Sequence, residues 1–363
     1  MALSKIDLAS MVENVAPESS IPDVSFRNLV INGNMSIAQR GTSHTTASGY
    51  TLDRYTWTDD STSAFTITQS TDVPSGQGFA SSMKLDCTTA NTSLGSSDQI
   101  RQVQKIEAQN LQHLRYGTSS AKSLTLSFWV KSNKTGTYCA TLSQEDDSYA
   151  SFTKEYTISS SGTWEKKTLT FDGDTGGVIN NDNGAGLWLM FAFGAGSGRH
   201  MTANQWNSSY GLSTSNQVNL ADNTSNELYL TGVQLEVGTS ASDFEFLPHD
   251  VNKHRCLRYF QDLAPKKNDC RIAIGENVNT NRTDPVFQYV EKRANPSVTF
   301  SAANTFSLYH SNTSRDCTSL TADNFSEICG NLNANVSSGL TAGGANQFIT
   351  NGTGSQIFVD AEL

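Results

Sequence analysis

Residues 228–250 read LYLTGVQLEVGTSASDFEFLPHD. Leu228 and Leu230 alternate with Tyr229 and Thr231, the two-residue period that sends successive side chains to opposite faces of a sheet. Gly232 interrupts the alternation. Val233, Leu235 and Val237 resume it with the phase shifted by one, which is how a β-bulge is written in sequence. Gly238 ends the strand. Phe244, Phe246 and Pro248 then read as a lid against a sheet edge. At KHRCLRYFQDL (253–263) the spacing turns helical, so this stretch closes one domain and opens another.

Working outward, residues 27–250 carry many short strands divided by Gly, Ser and Asn turns. Asn28–Asn32, Tyr50–Trp57, Ala64–Gln69, Ile100–Glu107 and Glu155–Ile158 are β-prone. Leu124, Leu126, Phe128 and Val130 share one face, as do Leu187, Leu189, Phe191 and Phe193. Regular short strands of this kind predict an antiparallel sandwich. Asn252–Leu263 is expected to be a helix, with Cys256, Leu257, Phe260 and Leu263 at three- and four-residue spacing and Pro265 as its stop. Leu257, Tyr259 and Phe260 are costly to leave bare, so they are expected at an interface between domains or between copies of the chain. The expected class is all-β: an N-terminal segment (1–26), a sandwich (27–250), a linker helix (251–265) and a smaller β domain (266–363).

Several motifs occur together in one order: NLVINGNMSIAQRGTS (28–43), YTLDRYTW (50–57), LTLSFWVKSNKTGTY (124–138), GVQLEVG (232–238) and the terminal FVDAEL (358–363). From Arg27 onward they resemble phage tail-fibre and related virion proteins. That resemblance implies a jelly roll like that of carbohydrate-binding modules, a place on the virion after assembly in the host cytoplasm, and attachment to a host surface glycan. Fibres of this kind are commonly homotrimers. The N-terminal segment fits such a protein as an anchor on other tail or capsid proteins. Leu3, Ile6, Leu8, Met11 and Val12 make one apolar side too short to bury itself. A frayed terminus is the competing reading.

Composition narrows the functional classes. Charged residues make up 17% of the 363, and the net charge is −10. Basic runs stop at Lys166-Lys167 and Lys266-Lys267, which argues against nucleic acid as a partner. The most apolar run, GLWLMFAFGAG, is too short to span a bilayer, so membrane insertion is not expected. Residues 1–20 lack the pattern of a secretory signal. None of the six cysteines forms a Cys-x-x-Cys pair, and reduced thiols are expected.

Sugar binding calls for exposed aromatic rings beside polar side chains. Trp206 and Tyr210 sit on a long aperiodic connection, residues 194–217, and Tyr149 lies on the acidic Glu145-Asp146-Asp147 loop. These three are the expected glycan contacts, with edge-capping as the rival role for each. Trp129 and Trp188 stand opposite the inward faces of their strands. Asp172 and Asp174, in FDGDTGG, are oxygen donors that suit a structural calcium, although a plain turn is the simpler reading. No nucleophile motif appears, and the expected protein is not an enzyme. Two other readings stay open. One is a structural fibre or decoration protein that binds no receptor. The other is a glycan depolymerase using paired acids among Glu145–Asp147, Asp59-Asp60 or Asp172/Asp174.

Overall fold

A computed structural model describes residues 26–264 and 266–363. The expected N-terminal anchor therefore lies outside the described residues, except for Phe26. The chain is all-β, and its larger body is a jelly-roll sandwich. One sheet runs β1 (Ser43–His44), β4 (Ala64–Ser70), β5 (Ser82–Thr89), β13 (Glu227–Val237), β7 (Leu124–Ser132), β10 (Glu165–Phe171). The other runs β12 (Trp206–Asn207), β9 (Ala150–Ile158), β8 (Gly136–Gln144), β11 (Ala185–Ala195), β6 (Gln99–Glu107), β3 (Thr56–Asp59), β2 (Ser48–Tyr50). Alternation places Leu124, Leu126, Phe128 and Val130 of β7 against Leu187, Leu189, Phe191 and Phe193 of β11 in one buried core. Phe128 meets Phe191 edge to face at 5.1 Å, and Trp57 stacks on Phe193 at 6.0 Å.

The phase change in β13 is a bulge. Thr231 faces Trp129 on β7, but the next pair is Gln234 with Ser127. Gly232 takes φ +62, and a Cβ there would come within 2.6 Å of the Phe79 ring, so both conformation and space call for glycine. Phe244 and Phe246 each pack 5.1 Å from Phe79. The phenylalanine lid thus covers a bulge in an inner strand of the sheet instead of a sheet edge. Past the bulge β13 leaves β5, and residues 28–33 take the vacated side: Leu29 N–H donates to Leu235 O, and Val233 N–H donates to Gly33 O. Asn28–Asn32 is not a strand. Side chains replace ladder bonds there, Asn28 Oδ1 accepting from Val30 and Leu235, and Asn32 takes a left-handed φ of 60.

The helix is shorter than its periodicity predicts. It spans α1 (His249–Leu257), and Phe260–Asp262 instead forms β14, paired with β23 (Ile357–Asp360). Tyr259 and Phe260 are 2% and 1% exposed. The Arg54 guanidinium lies 3.4 Å from the Tyr259 ring centroid, and Arg40 lies 3.5 Å from that of Phe260. Those rings are covered within the chain, by Arg54 and Arg40 of the sandwich, so no second copy is needed to cover them; Leu257 is half-buried. No helix among the described residues is long and apolar enough to cross a membrane.

The second body has its own core around Phe306, Leu308, Leu332 and Phe348. Its main sheet runs β19 (Thr313–Asp316), β18 (Phe306–His310), β22 (Ala345–Thr350), β15 (Arg271–Asn277), β16 (Arg282–Gln288), β21 (Cys329–Asn335), β20 (Ser319–Asp323). A small sheet places β23 between β14 and β17 (Ser297–Phe300). The terminal FVDAEL clasps the two bodies together. Glu362 pairs with the buried Arg54 and with Arg40, Arg40 reaches Asp360 at 2.9 Å, and Tyr50 donates to Leu363 O at 2.7 Å. All six cysteines are free thiols.

Candidate functional site

The outer face of the seven-stranded sheet is built in register. Trp188, Met190 and Ala192 of β11 lie opposite Lys105, Val103 and Arg101 of β6, and opposite Ser143, Thr141 and Cys139 of β8. The long 194–217 connection crosses this face instead of standing free. Leu212 is buried against Val103, Cys139, Met190 and Ala192, and its carbonyl accepts from Thr141 at 2.8 Å. Thr214 reaches Glu155 farther along. What the connection leaves open is one end of the face, where Trp188, Tyr210 and Tyr149 meet.

Tyr149 is held there by an unusual turn. Ala150 N–H donates to Asp147 O, and the two central residues, Ser148 and Tyr149, have φ 51 and 61. Positive φ at both positions is the type I′ hairpin turn, which normally takes Asn and Gly. A bulky aromatic in that conformation is uncommon and costs on the order of 1–2 kcal/mol. The turn sets the Tyr149 ring edge to face with Trp188 at 5.4 Å and with Tyr210 at 6.4 Å, leaving Tyr149 38% exposed.

Polar partners fix the other two rings. The Trp188 indole N–H donates to Glu145 at 2.6 Å, and the Lys105 ammonium sits 4.4 Å from the Trp188 ring centroid. Tyr210 accepts from Arg101 Nη1 at 2.5 Å and donates to Gln99 Oε1 at 2.7 Å. Gln99 is itself held by Asp60 through its backbone N–H and its side-chain amide. The Arg199 guanidinium lies 5.4 Å from the Tyr210 ring. Burial raises the Tyr210 phenol above its ordinary range and lowers Arg101 and Lys105 below theirs. The result is an aromatic platform ringed by donors.

Two of the three expected glycan residues, Tyr149 and Tyr210, are brought together here. Trp206 is not with them. It lies on β12 at the sheet edge, packs on Phe152 at 5.6 Å and Tyr116 at 5.9 Å, and donates its indole N–H to Asp172 O. Trp206 is an edge cap. Trp188, whose outward direction follows from the alternation of β11, holds the place that reasoning from the loop assigned to Trp206. Lys105 and Arg101 follow from the same alternation in β6, since Ile100 and Ile106 point inward.

Asp172 and Asp174 have separate tasks. The Asp174 carboxylate is buried, accepting from Gly176 N–H at 2.8 Å and from the Gln144 amide. Asp172 is exposed and contributes its backbone carbonyl to Trp206. The described residues contain no group of three or more His, Cys, Asp or Glu placed to hold a metal. In the acidic loop Glu145 is occupied by Trp188, and Asp146 accepts from Asn180.

Two other features compete for the role of binding site. A second aromatic pair, Trp164 and Tyr229, lies on the six-stranded sheet, but its cations are neutralised: Lys131 pairs with Asp72, and Lys84 with Glu227 and Asp86. An open cleft of about 1460 Å³ lies between α1 and the end of the sandwich, beside Phe26. Part of its charged wall is engaged, Arg258 with Glu107 at 2.8 Å and Arg27 with Ser242 and Asp243, and the Tyr259 face is covered by Arg54. The pair on the six-stranded sheet lacks unengaged cations, and in the cleft the exposed ring, Phe26, stands apart from other aromatic rings.

No family model matches the sequence, and no curated protein matches it. Among solved structures the chain is similar to the enzymatically active domain of bacteriophage CBA120 tailspike protein 4, at 16% identity and TM-score 0.32, over 59% of this chain but only 22% of that one. It is also similar to the CBM22-1 xylan-binding domain of Paenibacillus barcinonensis Xyn10C, at 12% identity and TM-score 0.26, over 55% of this chain and 94% of that one. A third is a family 16 carbohydrate-binding module, at 14% identity and TM-score 0.24, over 47% of this chain and 84% of that one. These likenesses say nothing of a ligand.

Proposed function

We propose that the chain is a non-enzymatic phage fibre protein that attaches to a host surface glycan through Tyr149, Trp188 and Tyr210. The observation that carries the sugar-binding part is Tyr149. A large aromatic ring is kept in a left-handed turn position, where glycine fits better, and is left half in water beside two more rings. Strain of that kind persists where the aim of the side chain matters. Pyranose C–H faces stack on such rings, while Lys105, Arg101 and Glu145 are placed to reach hydroxyls. The phage assignment, the location on the virion, the homotrimer and the anchoring of the N-terminal segment on tail or capsid proteins rest on the sequence motifs. In a trimer, three weak sites on one particle gain avidity without new contacts.

The test uses purified full-length protein and host cells. Trp188→Ala and Tyr149→Ala are expected to reduce adsorption at least about tenfold with the melting temperature nearly unchanged. Normal adsorption by both variants would remove this face as the contact.

A further inference from the structure

The cations at this site have no direct ion-pair partner. Among the described residues, Arg101, Lys105 and Arg199 form no ion pair, although the chain holds 35 acidic against 25 basic side chains. Many lysines and arginines of the described residues also lack an ion pair; what sets these three apart is that they converge, half-buried, on the rings of Trp188 and Tyr210.

Arg101 is the sharpest case. Its guanidinium touches the Tyr210 hydroxyl and, at 3.1 Å, the Met190 sulfur, neither of which carries charge. Its Nε is buried with no partner. Lys105 has only the Trp188 face, and Arg199 has the Tyr210 face and the Ser97 carbonyl at 3.0 Å. Glu145 and Asp60 act on Lys105 and Arg101 only beyond ion-pair distance, and each is hydrogen-bonded elsewhere, Glu145 by the Trp188 N–H and Asp60 by Gln99. A charge taken out of water without a counter-charge is costly, and an anionic partner removes that cost.

We infer that the saccharide bound here is acidic, with its ring on the Tyr149–Trp188 platform and a carboxylate or phosphate set among Arg101, Lys105 and Arg199. This rests on the sugar-binding reading of the same face. Guanidinium forks suit both anions, and electrostatic attraction would also hasten encounter for a protein that is otherwise repelled by acidic surfaces.

The experiment is binding of the full-length chain to matched oligosaccharides: hexuronates, the same chains with their carboxyls reduced to alcohols, and phosphorylated hexoses beside their dephosphorylated forms. Acidic members are expected to bind at least about tenfold more tightly than their neutral partners, and the margin should shrink as salt is raised. Hexuronates and sugar phosphates in separate arms show which anion is preferred. Lys105→Met and Arg199→Met should shrink the margin, weakening the acidic members more than their neutral partners. Arg101→Lys, with its melting temperature measured alongside, covers the more buried position. Equal or tighter binding of neutral sugars, unaffected by Lys105→Met, would overturn the inference and leave the glycan reading standing. If no sugar binds and Trp188→Ala adsorbs normally, the glycan reading falls first and the inference with it.

Discussion

Replacing Tyr149 by glycine separates the two roles a ring can have at that turn. The backbone at φ 61 is relieved when the Cβ is removed, a gain of about 1–2 kcal/mol. Against this stand the lost edge contacts with Trp188 and Tyr210, about 0.5–1.5 kcal/mol, and the added freedom of glycine in the unfolded chain, roughly 0.5–1 kcal/mol. The residue is 38% exposed, so the burial of the rest of the ring is forfeited as well, about 1 kcal/mol. The net change should be a loss of no more than about 2 kcal/mol, where truncation of a fully buried aromatic costs about 3–5 kcal/mol. Tyr149→Asn, which tolerates the left-handed region, avoids part of the entropic penalty and should be at least as stable. Binding should behave in the opposite way. Loss of one stacking ring is worth roughly 1–1.5 kcal/mol, about a tenfold fall in affinity. Urea unfolding and calorimetric titration with an oligosaccharide, on the same preparations, read both quantities. A stability loss above about 3 kcal/mol would show that Tyr149 is a structural residue and that the strain argument is mistaken.

Trp206→Ala should do the reverse of Tyr149→Gly: a loss of about 2–4 kcal/mol in urea unfolding, because the ring caps the main core, with sugar affinity unchanged. Glu362→Ala leaves Arg54, whose side chain is 1% exposed, without its carboxylate, and should cost about 3–5 kcal/mol. Arg54→Met combined with Glu362→Leu should recover most of that, and a loss below about 1 kcal/mol for Glu362→Ala would show that the terminal clasp holds little. Burial pulls the Lys292 ammonium down from 10.5 to about 8. Between those two values the unfolded chain binds the proton and the folded chain does not, so stability should rise as pH climbs through that window. Lys292→Met should flatten the rise in unfolding curves recorded across it.

The period-two alternation of β7, β11 and β13 was legible in the sequence, as was the glycine bulge at 232. A strand's facing is set by its own backbone, and a phase change needs no distant partner to be seen. The outward direction of Trp188 was written in the same way. Other features were not legible, for reasons that are equally physical. The helix ends at Leu257 because a strand about a hundred residues later, Ile357–Asp360, captures the backbone of Phe260–Asp262. Strands β19, β20 and β21 are rich in Ser, Thr, Asn and Asp, so their pairing, not their hydrophobic period, defines them.

For the candidate site the division is sharper. Sequence supplied aromatic residues and a long connection; only the folded chain decided that this connection lies down on the sheet, that Trp206 caps an edge, and that Tyr149 takes a left-handed turn. It also decided that Arg101, Lys105 and Arg199 converge without ion pairs while Lys84 and Lys131 form theirs. Side-chain direction along one strand is a local property. Which rings meet and which charges stay unpaired depends on register between strands far apart in the chain, and that is fixed when the two sheets pack.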